Sequence, residues 1–127
     1  MTIVLADLDR LKYINDNFGH KEGDFAIHAV AQALVEVCPD NSLFTRFGGD
    51  EMLAVCPCVL DVEETKEKFS RYFAKLNATE NKDYVIEAST GIYITGADEI
   101  LGFEELIEKS DHLMYEEKKE RRARRNG

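Results

Sequence analysis

Apolar residues gather first at positions 2–6 (TIVLA), a β-branched run that breaks abruptly into Asp7-Leu8-Asp9. That is the pattern of a buried strand feeding a polar edge. Leu11, Ile14 and Phe18 then recur at helical spacing and predict a short helix over residues 10–17, stopped by Gly19. A small polar loop is expected over 19–24, closed by Gly23, ahead of the longest helical pattern at 24–37. There Ala26, Val30, Ala33, Leu34 and Val37 form the inner stripe, and Pro39 lies just beyond the end. Residues 43–47 and 52–56 read as strands joined by the tight turn Gly48-Gly49-Asp50-Glu51. Asp61 with Glu64 three places on marks a helix start. That helix turns Val62, Phe69, Phe73 and Leu76 inward and ends near Asn77. A long strand pattern over 84–94 is interrupted at Gly91, and a last helix over 103–119 carries Phe103, Leu106, Ile107 and Met114. The order β-α-α-β-β-α-β-α, with an antiparallel central hairpin, predicts an α+β fold: a mostly antiparallel sheet flanked by helices.

The 127 residues suffice for one compact domain, with no linker, repeat or second core. Apolar residues at 44% and charged residues at 32% are ordinary for a folded chain and argue against disorder. No apolar run approaches the roughly 18–20 residues of a membrane-spanning helix, and the start lacks the basic leader of a signal peptide. Cys38, Cys56 and Cys58 have no zinc spacing. They read as reduced, buried thiols, the last two on one face of a strand.

Charge changes the picture more than composition does. The net charge is −9, yet six basic side chains stand in the last ten residues beside only Glu120, so the rest of the chain is more acidic still. Such a body argues against a general nucleic-acid binder. It suits a site where divalent cations mediate contact with a small phosphorylated ligand. The basic end itself reads as a solvated, fraying tail.

Three polar features interrupt the apolar scaffold where strands end: Asp7-Leu8-Asp9, the stretch from Asn15 to Asp24 around two glycines, and Gly48-Gly49-Asp50-Glu51. If the first strand pairs with the hairpin, Asp7 lies beside Asp50 and Glu51, and close carboxylates call for a cation between them. Oxygen ligands without His or Cys favour Mg²⁺ or Mn²⁺ over zinc, with room left for phosphate oxygens of a nucleotide triphosphate. The two glycines leave the backbone free to approach such phosphates. The plainer alternative makes Asp7 a helix cap and the glycine pair a bare turn. Asn15 and Asp24 together match the donor and acceptor edge of guanine. Alternatively Asp24 is the N-cap of the long helix, Asn15 a surface residue and His20 structural.

The run DLDRLKYINDNFGHKEGD, followed by RFGGDEM at 46–52, resembles the GGDEF domain of diguanylate cyclases over essentially the whole chain. Asp7, Asp9, Lys12, Asn15, Asp16, Gly19, His20, Gly23 and Asp24 fall on that pattern without a gap, as do Arg46, Gly48, Gly49, Asp50 and Glu51. The segment LMYEEKKERR resembles the family's late motif and puts Lys118 and Arg122 on its basic positions. The resemblance implies the nucleotidyl-cyclase and polymerase-palm type of α+β fold. It also implies condensation of two GTP into cyclic di-GMP by an antiparallel homodimer in which each domain holds one GTP. Asp7, the Leu8 carbonyl, Asp50 and Glu51 would hold Mg²⁺ or Mn²⁺, and Glu51 would help activate the 3′-hydroxyl. Asn15 and Asp24 would read guanine beside His20. Lys12, Lys118 and Arg122 would contact the triphosphate, with the Gly48-Gly49 turn close by. A cytoplasmic domain fused to sensory or output domains is implied, with no nucleic-acid partner and no membrane insertion of its own.

The sequence departs from the family pattern in four places. Met52 replaces the motif's Phe. Pro39 and Ser42 stand where the family's product-inhibition site has Arg and Asp, so that site is expected to be absent. The usual lead-in helix is missing before Thr2, which suggests a fragment of a larger protein, poorly active alone. Arg121 replaces the glycine before Arg122. These departures motivate a second reading, a weak or inactive GGDEF domain serving as a GTP-binding or partner-binding regulatory module.

Overall fold

The computed structural model describes residues 1–96 and 98–126. Among these residues four strands and four helices follow one another in the expected order: β1 (Thr2–Leu8), α1 (Leu11–Phe18), α2 (His20–Val37), β2 (Leu43–Arg46), β3 (Glu51–Cys56), α3 (Val62–Glu80), β4 (Ala88–Ile94) and α4 (Phe103–Asn126). The strands form one sheet in the order β2-β3-β1-β4, each neighbour pair antiparallel. β1 is therefore central, and alternation along it sends side chains to two cores. Val4, Ala6 and Leu8 face α1, α2 and α3, while Ile3 and Leu5 face α4 with Leu53, Leu106 and Met114.

Several boundaries move for identifiable reasons. No loop spans 19–24: Gly19, at φ 92°, breaks α1 from α2 in a single residue, and α2 starts at His20. Gly23 lies inside α2, where a Cβ would stand 1.8 Å from Asn15 Oδ1. It is a helix-contact glycine and not a turn. β4 begins at Ala88 and not at 84, because β1 runs out opposite it at Leu8. The preceding chain is served by a side chain instead: Asn77 donates to the Ile86 carbonyl and accepts from its N–H, both at 2.9 Å. Gly91 does not interrupt the strand. A Cβ there would meet the Ser110 carbonyl of α4 at 1.9 Å, so this glycine lets α4 lie directly on the sheet.

α4 runs on through the basic residues to Asn126, so the expected fraying tail is helical. Its inner stripe is Leu106, Ser110 and Met114, while Phe103 is 58% exposed against the edge of Phe47. Cys38 and Cys56 are buried, and burial beside Cys56 pushes the Cys38 thiol up. Cys58 lies past the end of β3 and is exposed, contrary to the expected pair on one strand face. Among the described residues no helix is long and apolar enough to cross a membrane.

Candidate functional site

The β1–β3 ladder puts Asp7 directly opposite Glu51, with Asp50 just outside the ladder, its carbonyl accepting from the Leu8 N–H at 3.4 Å. The three expected cation-site carboxylates, Asp7, Asp50 and Glu51, thus meet at one rim because a strand end and a hairpin turn are in register. The turn is tight. Gly48 takes φ 97°, Phe47 N–H donates to the Glu51 carbonyl at 2.8 Å, and Arg46 Nε donates to the Gly49 carbonyl at 3.0 Å. Only Gly48 uses the left-handed freedom expected of both glycines.

Asp7 is only 5% exposed, on the face covered by α4. One carboxylate oxygen, Oδ2, accepts a hydrogen bond from Lys118 Nζ, and the other, Oδ1, is buried without a partner. Burial pushes the Asp7 carboxyl up to about 7, the Asp50 charge adds to this, and Lys118 opposes it. The pair is lopsided. Burial alone would lower the Lys118 ammonium, but Asp7, with Asp9 and Asp50 behind it, outweighs that and holds the ammonium charged. Asp7 lies deeper and recovers less than burial costs it. Glu51 is raised too, by burial first, then by Asp111 of α4 and Asp50. An excess of negative charge around one orphaned buried oxygen fits a divalent cation. Among the described residues no three His, Cys, Asp or Glu side chains form a ready cage. A cation here would take much of its shell from water and phosphate oxygens, as Mg²⁺ does.

The expected base-reading residues lie on α1 and α2. Asn15, on α1, packs flat against Gly23 of α2, half-buried, while Asp24 follows on α2 and is exposed. Asp24 is inside the helix, so it is not the N-cap. It stands with His28 and Arg46 along a groove of about 520 Å³, floored by Leu34, Phe44 and Met52. Met52, in place of the motif's Phe, is buried under this groove. His20 opens α2 and is exposed, as are Lys12 on α1 and Arg122 on α4. Neither Lys12 nor Arg122 reaches the carboxylate rim as Lys118 does.

Sequence reasoning gave no role to Asp9, Glu87, Glu117 and Arg121, which form a second charged cluster below the rim. Asp9 Oδ1 accepts from Ser89 Oγ at 2.7 Å, and Arg121 reaches Asp9, Glu87 and Glu117. The available signal was the spacing of Lys118 and Arg121, three apart on one helix, against Asp7 and Asp9, two apart on one strand.

A family model described as "Diguanylate cyclase, GGDEF domain" matches residues 1–124. The chain belongs to the GGDEF family. Diguanylate cyclase VdcA of Vibrio cholerae serotype O1 is 30% identical over 122 residues, covering 93% of this chain and 36% of that protein. Signaling protein YkoW of Bacillus subtilis is 31% identical over 126 residues, covering 96% of this chain and 16% of that protein. The GGDEF domain therefore spans well under half the length of these relatives. Among solved structures, an EAL/GGDEF domain protein from M. capsulatus superposes with TM-score 0.73 at 26% identity, over 94% of this chain and 78% of that one. The antiparallel sheet and its helices are thus those of a GGDEF domain, and cyclic di-GMP signalling is the setting of the family.

Proposed function

We propose that this GGDEF domain is a diguanylate cyclase half-site that binds one GTP and, facing a second copy, joins two GTP into cyclic di-GMP. The observation that carries the proposal is the rim where Asp7 stands opposite Glu51 and beside Asp50, one Asp7 oxygen buried without a partner and the other held by the Lys118 ammonium. A bound Mg²⁺ or Mn²⁺ would lower the pKa of the attacking hydroxyl and neutralise charge on the α-phosphoryl group.

Asp7, Asp50, Glu51 and the Leu8 carbonyl are the residues to hold that cation. Glu51, with its carboxyl raised by burial, would take the proton of the 3′-hydroxyl. Lys118 would turn from Asp7 to the phosphates, with Lys12 and Arg122 closing from α1 and α4. Asp24 would accept from guanine N1–H and the exocyclic amine, and Asn15 would fix the same edge. Each 3′-oxygen forms a bond to the other nucleotide's α-phosphorus, each bond from α-phosphorus to the bridging oxygen breaks, and two pyrophosphates leave. One domain supplies one nucleotide, so an antiparallel homodimer is required.

The pairing of Lys118 with Asp7 also favours a second reading, a regulatory module that holds GTP without turnover, within a protein carrying further domains. Calorimetry with a non-hydrolysable GTP analogue and Mg²⁺, with the ATP analogue as control, tests the half-site. Selective GTP binding is expected. Equal binding of both, or cyclisation that survives Asp50→Ala, would sink the proposal. Binding in the chain together with no product from the longer protein would favour the regulatory module.

A further inference from the structure

α4 sends two cations, one helical turn apart, onto the two carboxylates of Asp7-Leu8-Asp9. Lys118 meets Asp7, and Arg121 Nε stands 3.7 Å from Asp9 Oδ2. The match is geometric: three helical residues rise about 4.5 Å and two strand residues about 6.6 Å, a difference that long side chains absorb. Asp9 is 7% exposed, and its Oδ2 has no hydrogen-bond partner, so Arg121 is the charge that compensates it. The guanidinium is itself held in place. Nη1 donates to Glu87 Oε2 at 2.8 Å, and Nε donates to Glu117 Oε1 at 3.3 Å. Glu117 in turn accepts from the backbone N–H and the hydroxyl of Thr90 in β4, both at 3.2 Å.

We infer that Arg121 is a positioning residue for nucleotide binding: by neutralising Asp9 and pinning α4 to β1 and β4, it keeps Lys118 at the Asp7 end, where the triphosphate would lie. The inference rests on the half-site reading above and deepens it. Without Arg121, the Lys118 ammonium has two buried carboxylates to serve, since the Asp9 charge already acts on it. It would then divide its time between them and meet the phosphates less often. A lysine at 121 supplies the charge but lacks the planar fork that spans Glu87 and Glu117 together.

A double-mutant cycle on the whole chain tests this. Arg121→Ala is expected to weaken Mg²⁺-dependent binding of the GTP analogue roughly five- to tenfold, the scale of coupled neighbours. Arg121→Lys should recover part of the loss, and Arg125→Ala should cause none. In a Lys118→Ala background, Arg121→Ala should have no further effect. An equal loss in that background would overturn the inference, because it would mean that Arg121 contacts the nucleotide itself or acts through the fold at large. A second readout needs no nucleotide: ¹³C relaxation at Lys118 Cε should show a more mobile side chain in Arg121→Ala than in the parent. Unchanged order there would also overturn the inference. Failure of the parent chain to bind the analogue, with the Cε order still falling, would count against the half-site reading and leave the clamp standing.

Discussion

Asp7 is a carboxylate held against the demands of its own burial. With its pKa near 7 and an ordinary value of 3.8, the fold favours the neutral form. Stability from this group is fully present below about pH 4 and is lost as pH rises through about 7. Asp7→Asn, an uncharged stand-in, should therefore raise the Tm of the metal-free protein at pH 8 by about 5 °C, and change it little at pH 4. Mg²⁺ with the GTP analogue should stabilise the parent and not the variant. Thermal unfolding at the two pH values checks both halves, and a lower Tm for the variant at pH 8 would contradict the argument. At the proposed base-reading end, Asp24→Asn replaces an acceptor-only group by one that would turn donors toward guanine's donors. GTP affinity should fall about tenfold or more, the scale of one bidentate base contact, while ATP affinity should hold or rise.

Between elements, two glycines separate packing from recognition. At Gly91 an added Cβ meets backbone, the Ser110 carbonyl at 1.9 Å and the Met114 nitrogen at 2.8 Å. Gly91→Ala must therefore lift α4, at a cost of about 1–3 kcal/mol or more, visible in chemical denaturation. At Gly23 the obstacle is the Asn15 side chain, which can swing away, and alanine is the better helix former by about 1 kcal/mol. Gly23→Ala should leave stability nearly unchanged and still weaken GTP-analogue binding, because Asn15 is pushed off its place against Gly23. The contrast also shows what the sequence could convey. Strand and helix order was legible because each element buries one face at its own period, and the Asp61 cap is realised, its side chain accepting from Glu64 N–H at 2.8 Å. Gly23 and Gly91 were misread as chain breaks because a glycine that admits a neighbour looks, in one dimension, like one that turns a chain. Residues 84–87 looked like strand because Tyr84 and Ile86 alternate inward, yet they lack a partner strand. The acidic rim was legible from motif spacing. Its lower tier was not, since Arg121 finds Asp9 only once α4 lies across β1.

On the scale of the whole molecule, all three α1–α3 helices cover one sheet face and α4 alone covers the other, so the rim opens at one end of the sheet. If the rim holds one triphosphate, as proposed, cyclisation should depend on pairing. The rate per protein molecule is expected to rise with protein concentration until pairing saturates, while GTP-analogue affinity stays flat; a concentration-independent rate in a monomeric sample would refute this. The rim also has an unusual ancestry along the chain. Lys118 and Asp7 are 111 positions apart, and Ser89 and Asp9 are 80 apart. Closing such wide loops costs entropy before any contact repays it, so contacts of this span, the β1–β4 ladder included, are expected to form late. The proposed nucleotide site would then be a seal on the finished molecule: a partly folded chain, even one with its hairpin and first helices in place, would have no Lys118–Asp7 pairing to offer a phosphate. A fluorescent GTP analogue added during refolding should gain signal only with the last phase. If the proposed half-site binds GTP, the nucleotide would draw refolding chains toward completion by binding that final state alone.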